Sequence, residues 1–331
     1  MSKEDLHCHR LLYAPHRQEV LALSSTRRLL RWGVEKEPRV VEEVAYNHFF
    51  DIRPMNEEYF LLLNQQSCCV EVVKWDNLQS VQQIAIPIPQ YKQLEDALFV
   101  PNTTRLLAGG GWNPLYFIDL ETAEIINAFD KEEIKHTGYV TYLSASFADG
   151  LLVHTNSDQF NTFELRQLDL TAQKLTYLNS FDGDVRHHRD VVKFIPQTQS
   201  FVHVWMDMYG MQRIQYYQYR ETQLKRIWEV ALPMILHQPS IYNEWRSGLY
   251  VDAHRTLVGA GQQLISIVNT EGILQGRIEK HWIVPAIIQD MTVDLADRTL
   301  LLATDQGILK WDTQQPSTQQ QNVRLHLQPF F

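Results

Sequence analysis

Short apolar segments separated by polar turns run along the whole sequence, and seven of them end in a similar way at a similar interval. These segments are LLRWG, VVKWD, LYFID, LRQLD, YYQYR, ISIVN and ILKWD, ending at Gly33, Asp76, Asp119, Asp169, Arg220, Asn269 and Asp312. Successive end positions lie 43, 43, 50, 51, 49 and 43 residues apart. A repeat of roughly 40–50 residues that contains only strands is typical of the blades of a β-propeller.

Each repeat divides into four predicted strands. The second strands are almost continuously apolar, as in LLLA at 300–303, which is the pattern of a strand buried on both faces. The third strands alternate between apolar and polar residues, as in QYYQYR at 215–220. The pattern predicts an all-β chain, a single seven-bladed β-propeller with four antiparallel strands per blade, forming one domain over 1–331. The predicted blades are approximately 8–46, 47–87, 88–130, 137–182, 185–232, 239–280 and 285–328.

The last repeat resembles a WD repeat, since it contains LLATDQGILKWD at 301–312 with a histidine upstream. By this resemblance a structural hydrogen-bonded tetrad would be formed by His281, Thr304, Asp305 and Trp311. The second repeat keeps His48, Trp75 and Asp76, and the first keeps His9, Ser25 and Trp32. Repeats three to six lack the tryptophan, so the resemblance is to a diverged member. The family implies a platform for binding other proteins and does not imply catalysis.

Composition narrows the range of partners. Of the 331 residues 44% are hydrophobic, which is enough for a large core, and the formal charge is −9. An acidic chain repels nucleic acid and anionic lipid unless it carries a local basic patch, so we expect neither as a partner. The charge favours a basic protein partner, although it also serves solubility alone.

The cysteines and the N-terminus bear on the compartment. The chain has three cysteines, Cys8, Cys68 and Cys69, and two of them are adjacent. An odd number with an adjacent pair is not the pattern of a protein stabilised by a set of disulfides. We expect all of them to be reduced, with Cys68 and Cys69 neighbours on a strand and pointing to opposite faces. The N-terminal residues contain no apolar stretch of signal-peptide length. The expected location is therefore cytoplasmic.

Histidines recur just before the predicted first strands, at His9, His48, His136, His187, His188, His237 and His281. They could form a metal or catalytic ring at one mouth of the propeller channel, or they could be structural histidines of individual blades. We favour the structural role, because metal sites need a tight cluster with supporting groups. His187 and His188 are exceptions, since both cannot fill one structural position.

Carboxylates recur at a similar point of the repeat. Asp96, Asp190 and Asp290 stand at the start of first strands, and Asp51 lies near the equivalent position. Their oxygens could hold a hard cation such as calcium at the channel mouth. They could equally cap turns or pair with the neighbouring Arg53 and Arg189.

Aromatic and methionine residues occupy many of the predicted loops between second and third strands and between fourth and first strands, which share one end of the blades. On this aromatic loop face we place Tyr91, Trp112, Phe160, Met208, Tyr209, Met211, Tyr242, Trp245 and Trp282, with His187 and His188 nearby. The segment WMDMYGM at 205–211 is unusual for a hairpin tip, where small polar residues are expected. Such residues are enriched at the centres of protein interfaces, but they could instead fold inward over the core.

The sequence therefore predicts a non-catalytic protein-binding propeller, either a scaffold subunit or an inhibitor or immunity-type protein, with no cofactor. The alternative is a propeller hydrolase or lyase with a cation held by Asp96, Asp190 and Asp290 at the channel mouth. None of the short motifs of nucleophilic, zinc or phosphate-binding enzymes occurs in the chain.

Overall fold

The structure is a computed structural model that forms two compact units, Arg10–Asp182, and Met1–His9 with Gly183–Phe331. The residues it describes are 8–26, 28–34, 39–45, 49–88, 94, 96–100, 103–109, 114–129, 139–147, 150–157, 162–169, 174–182, 192–195, 200–206, 212–220, 223–231, 234–235, 249–251, 255–260, 262–269, 278–294, 299–312 and 323–324. All the regular elements among them are strands, so the predicted all-β class is confirmed.

Among the described residues, four antiparallel sheets of four strands lie in the unit Arg10–Asp182, apart from Cys8 and His9 at the start of the first strand. Each sheet is formed by consecutive segments of the chain. The first sheet is β1 (Cys8–Ala14), β2 (Glu19–Ser24), β3 (Arg28–Gly33) and β4 (Arg39–Ala45). The second is β5 (Phe49–Pro54), β6 (Tyr59–Asn64), β7 (Cys69–Lys74) and β8 (Ser80–Ala85). The third is β9 (Asp96–Val100), β10 (Arg105–Gly109), β11 (Leu115–Asp119) and β12 (Ile125–Phe129). The fourth is β13 (Tyr139–Phe147), β14 (Gly150–Ser157), β15 (Thr162–Asp169) and β16 (Lys174–Asp182).

The other unit contains three sheets among its described residues. The fifth sheet of the chain is β17 (Val192–Ile195), β18 (Ser200–Met206), β19 (Gln212–Arg220) and β20 (Gln223–Ala231). A six-stranded sheet joins β22 (Leu249–Val251), β23 (Arg255–Ala260), β24 (Gln262–Asn269), β25 (Ile278–Asp294), β26 (Thr299–Thr304) and β27 (Gly307–Asp312). A pair of short strands is formed by β21 (Met234–Ile235) and β28 (Val323–Arg324).

The second sheet shows why second strands are continuously apolar. Leu61 and Leu63 of β6 belong to a core cluster shared with the third sheet, whereas Phe60 and Leu62 belong to one shared with the first sheet. Successive side chains of a strand point to opposite faces, so a strand packed between two sheets must be apolar at every position. The predicted burial of these strands is confirmed.

Two features near the C-terminus concern how strands pair across repeats. β25 runs from Ile278 to Asp294 and pairs with β24 through its first half and with β26 through its second, so it changes partner at about the junction of the predicted blades 239–280 and 285–328. The predicted last strand of the final blade does not pair with β27, because β28 pairs with β21. Neither partner choice leaves a signal in the local pattern, since both depend on strands distant in sequence.

The segments KEEIKH at 131–136 and TQQPSTQQQN at 313–322 fall outside the described residues. Within the described part of the chain, no helix has the length and apolar character needed to cross a bilayer.

Candidate functional site

Most of the predicted aromatic loop face lies outside the described residues. This applies to Tyr91, Trp112, Phe160, His187, His188, Met208, Tyr209, Met211, Tyr242 and Trp245. Trp282 is described, and its predicted place on a loop is wrong. It lies within β25 opposite Ile265, and only 1% of its surface is exposed. Its indole fills the core beside Val284 and Leu300, so it is not available to a partner.

In the last repeat, no hydrogen bond joins Trp311 to Thr304 among the described residues of the tetrad implied by the resemblance. The Thr304 hydroxyl donates to the Gly307 carbonyl at 2.7 Å, and it also accepts from the Gln306 amide. Trp311 Nε1 is buried, and no described residue accepts its hydrogen. Thr304 therefore holds the β26–β27 turn rather than the tryptophan.

Trp75 has a different role from the one implied by the WD pattern. Its indole is buried, packs edge-on against Phe60 with ring centroids 5.6 Å apart, and donates to Glu19 Oε2 at 3.3 Å. Because Glu19 belongs to β2, this tryptophan ties the second sheet to the first.

A buried chain of ion pairs connects the first strands of the first three sheets. Arg10 Nε lies 3.1 Å from Asp51 Oδ1, Arg53 Nη2 lies 3.1 Å from Asp51 Oδ2, and Arg53 Nε lies 2.9 Å from Asp96 Oδ1. The side chains of Asp51 and Asp96 are each only 1% exposed. Charges this deeply buried persist only when paired, and each carboxylate here faces at least one guanidinium.

The same carboxylates also bind their own backbone. Asp51, Asp96 and Asp290 each accept the amide hydrogen of the following residue, at 2.8–2.9 Å. The strand register shifts at Asp51 and at Asp290, where a bulge removes an amide from its ladder partner. Asp190 lies outside the described residues.

Asp96 pairs with Arg53. Pairing with this arginine is one of the alternatives to a cation site that the sequence allows. A guanidinium at 2.9 Å occupies a carboxylate oxygen that a cation would need, and it repels a second positive charge. Among the described residues there is no group of three or more His, Cys, Asp or Glu side chains placed to hold a metal ion.

An open cleft of about 640 Å³ lies between the second and third sheets. Its residues come from the strands β6, β7, β8 and β9 and from the β5–β6, β9–β10 and β11–β12 turns. The apolar lining is formed by Met55, Tyr59, Val72, Val81, Phe99 and Leu120. Since hairpin turns of this kind lie at the end of the sheets opposite the β6–β7 and β10–β11 connections, the cleft is at the other end from the predicted aromatic loop face.

The cleft opens onto the core that the two sheets share. Val72 and Leu120 belong to this core, and Met55, Tyr59 and Phe99 pack against it while remaining partly exposed. Val81 on the outer strand β8 is 55% exposed. The Gln82 side-chain amide donates to the Leu120 carbonyl at 2.6 Å and so links the two walls. The cleft is open to solvent, and its lining is mainly apolar with a few polar groups.

The turns that contribute to the cleft carry five acidic residues, of which Glu121 lines the cleft directly. We call this set the acidic rim: Glu57, Glu58, Asp119, Glu121 and Glu124. All but Asp119 are exposed. The Asp119 carboxylate is used locally, since it accepts the amides of Glu121 and Thr122 and shapes the β11–β12 turn.

Sequence reasoning missed this cleft. The only local signal is the apolar Val81 among polar neighbours in SVQQIA, on a strand whose other residues are mainly exposed. Its neighbours Phe99 and Leu120 come from the next sheet, and their approach is a result of packing between sheets.

Comparisons with known proteins show the fold. No family model and no curated protein matches the sequence. Among solved structures, the chain is similar to hydrazine synthase from Kuenenia stuttgartiensis, with a TM-score of 0.72 and 10% identity over 95% of this chain and 97% of that one. It is also similar to U3-55K and to the WD40 repeats of RRP9, each with a TM-score of 0.63 and 10% identity. These two cover 96% of this chain, and 94% and 93% of their own chains respectively.

The chain therefore has the fold of a diverged WD-like β-propeller, as its repeats predict. Propellers with this fold carry many unrelated functions, so the function has to be argued from the surfaces of this chain.

Proposed function

We propose that this chain is a non-catalytic protein-binding propeller of seven blades, acting as a scaffold subunit or as an inhibitor of a partner protein. The observation that carries the proposal is the likeness to WD40 propellers over 96% of the chain, since a repeat array of this kind presents extended loop surfaces. The three buried cysteines form no disulfide, which is compatible with a reducing cytoplasmic location.

The partner is expected to be basic. The chain has a formal charge of −9, and the acidic rim of the cleft adds a local negative field. Complementary charge raises association rates and discourages partners of the wrong sign. The alternative of a hydrolase or lyase with a bound cation gains no support at Asp96, because Arg53 pairs with the carboxylate that would hold the cation.

The test is affinity purification of the tagged chain from its native cells, followed by mass spectrometry. In the proposed arrangement the aromatic loop face carries the main contact, so a Tyr209→Ala and Trp245→Ala double variant should lose the co-purifying partner. Truncating aromatic anchors at the centre of an interface typically costs about 2 kcal/mol or more each, which reduces affinity many-fold.

Tyr177→Ala is the matched control, because Tyr177 is an aromatic residue on the outer strand β16 with 49% of its surface exposed. This variant should keep the partner, and both variants should keep the wild-type circular dichroism spectrum. A partner retained by the double variant would count against the loop face. The absence of any specific partner from the wild-type chain would count against protein binding as a whole.

A further inference from the structure

We propose that the cleft between the second and third sheets is a second binding site, which takes an extended basic segment of a protein partner with an apolar side chain seated in the cleft. The site lies at the end of the second and third sheets opposite their β6–β7 and β10–β11 connections, where the sequence predicts the aromatic loop face. It therefore goes beyond the proposed function and does not depend on contacts at that face.

The apolar part of the argument comes from incomplete burial. Tyr59, Phe99 and Met55 lie against the shared core yet remain partly exposed, and Val81 is 55% exposed beside them. Single exposed apolar residues need no explanation, but a concave group of them on top of a core is typical of a binding site. A volume of about 640 Å³ accommodates a few large side chains and is too small for a folded domain.

The shape of the occupant follows from the strand beside the cleft. β8 is the last strand of the second sheet, so one edge of its backbone carries no neighbour from that sheet. An extended segment can add to such an edge through main-chain hydrogen bonds while alternate side chains enter the adjacent pocket. Asn56, Thr103 and Thr104 line the same cleft. The Asn56 side-chain oxygen accepts the Glu58 and Tyr59 amides, so its NH2 group is the part of this side chain left for a ligand.

The charge of the occupant follows from the rim. The turns around the cleft carry five carboxylates, at Glu57, Glu58, Asp119, Glu121 and Glu124. Cations of the same sheets include Lys74, which stands opposite Tyr59, and Arg105, whose guanidinium lies 5.2 Å from the Phe117 ring. Arg17, near the β5–β6 turn through His16, is paired with Asp76 at 2.6 Å. Lysine or arginine side chains flanking the apolar anchor complement this excess of negative charge.

The experiment measures the binding of a defined probe to the full chain by fluorescence polarisation. The probe is a fluorescein-labelled, amidated peptide of sequence KRLTFKR. The comparison peptide has the sequence EELTFEE, with the same central LTF and with the flanking charges reversed. We expect the basic peptide to bind with an affinity that weakens as salt is raised, and the acidic peptide to bind at least about tenfold more weakly.

Val81→Lys is the decisive variant, because it removes the apolar side chain from the cleft and introduces a repelling charge. Val81 is exposed, so the fold should tolerate the change, and binding of KRLTFKR should weaken by about tenfold or more. The matched control is Val41→Lys, the same substitution on the outer strand of the first sheet, where Val41 is 52% exposed and outside the cleft. It should bind the peptide like the wild type.

A second variant tests the charge separately. Replacing Glu57, Glu58 and Glu121 by glutamine should weaken binding of the basic peptide and make that binding less dependent on salt. The triple variant should be no more susceptible to proteolysis than the wild-type chain. The proposal is overturned if KRLTFKR does not bind at millimolar concentration, if both peptides bind equally, or if Val81→Lys and Val41→Lys weaken binding to the same extent. The Tyr209→Ala and Trp245→Ala double variant should bind the peptide normally, so failure of the cleft and failure of the loop face give different results.

Discussion

At the scale of single residues, Asp51 connects most of the buried charge in the first three sheets. It faces Arg10 on one side and Arg53 on the other, and Arg53 passes the interaction on to Asp96. Such pairs contribute little net stability compared with an apolar core, but removing one partner leaves the other charges buried and uncompensated.

We therefore predict that Asp51→Asn destabilises the fold by about 3–5 kcal/mol, because both arginines lose a carboxylate that they reach at 3.1 Å. Urea unfolding followed by tryptophan fluorescence measures the change. Asp76→Asn is the control, since the Arg17–Asp76 pair is solvent-exposed at the carboxylate and should contribute little. Equal losses in the two variants would show that the buried chain of ion pairs has no special role.

The cysteines allow a second residue-scale prediction. Cys8 is fully buried, and burial raises the pKa of its thiol to about 12, while burial also raises the pKa of Cys68. Because only the thiolate attacks a disulfide reagent, the native chain should react very slowly with Ellman's reagent at about pH 8. All three thiols should react once guanidinium unfolds the chain.

Rapid reaction of one thiol per native chain with Ellman's reagent would contradict the burial of these thiols. None of the three cysteines forms a disulfide, in agreement with the sequence, but the placement of Cys68 on a strand is wrong. Cys68 ends the β6–β7 turn with a φ of 48°, and β7 begins at Cys69.

At the scale of elements, the hairpin turns use left-handed residues that are not glycine. Ala123 in the β11–β12 turn has a φ of 57°, and Leu78 in the β7–β8 turn has a φ of 53°. A residue with a Cβ atom is disfavoured in this region, so these turns are held by the strands on either side.

Ala123→Gly should raise the free energy of unfolding by about 0.5–1 kcal/mol, since relief of the left-handed strain exceeds the added entropy of glycine in the unfolded chain. Ala85→Gly is the control, because Ala85 is also exposed but lies in β8, where glycine should destabilise by about 0.5–1 kcal/mol. Thermal unfolding measures both changes. Equal effects of the two substitutions would mean that backbone strain at Ala123 is absent.

The elements also show how far local pattern reaches. The strands β2, β6, β10 and β26 are recognisable from the sequence because burial on both faces demands an apolar residue at nearly every position. The continuation of β25 from one sheet into the next and the pairing of β28 with β21 were not predictable in the same way. Those features depend on which distant strand offers a free edge, and the local composition is similar for either partner.

At the scale of the whole molecule, the formal charge of −9 decides which large partners are excluded. We predict that the chain stays in the supernatant when vesicles with about a fifth phosphatidylserine are sedimented at physiological salt, because the surface potentials have the same sign. The same repulsion should prevent binding to a labelled DNA duplex, as measured by fluorescence anisotropy.

A basic protein of similar size serves as the positive control for both measurements. Co-sedimentation with the anionic vesicles, or binding to DNA that weakens with salt, would contradict the prediction and point to a concentrated basic patch. Binding of KRLTFKR under the same conditions would confirm that the electrostatic field of the chain favours positively charged ligands.

The sequence by itself determined the repeat, the all-strand character and the likeness to WD propellers, because each follows from the spacing of apolar segments and turns. It also placed Asp51, Asp96 and Arg53 at related positions, since these recur at the starts of first strands. Only the tertiary structure decided that Arg53 reaches Asp96, that Trp282 is buried, and that Val81 stands beside Phe99 and Leu120. The physical reason is that strand pattern is a property of neighbouring residues, whereas charge pairing, burial and clefts arise where separate sheets pack against each other.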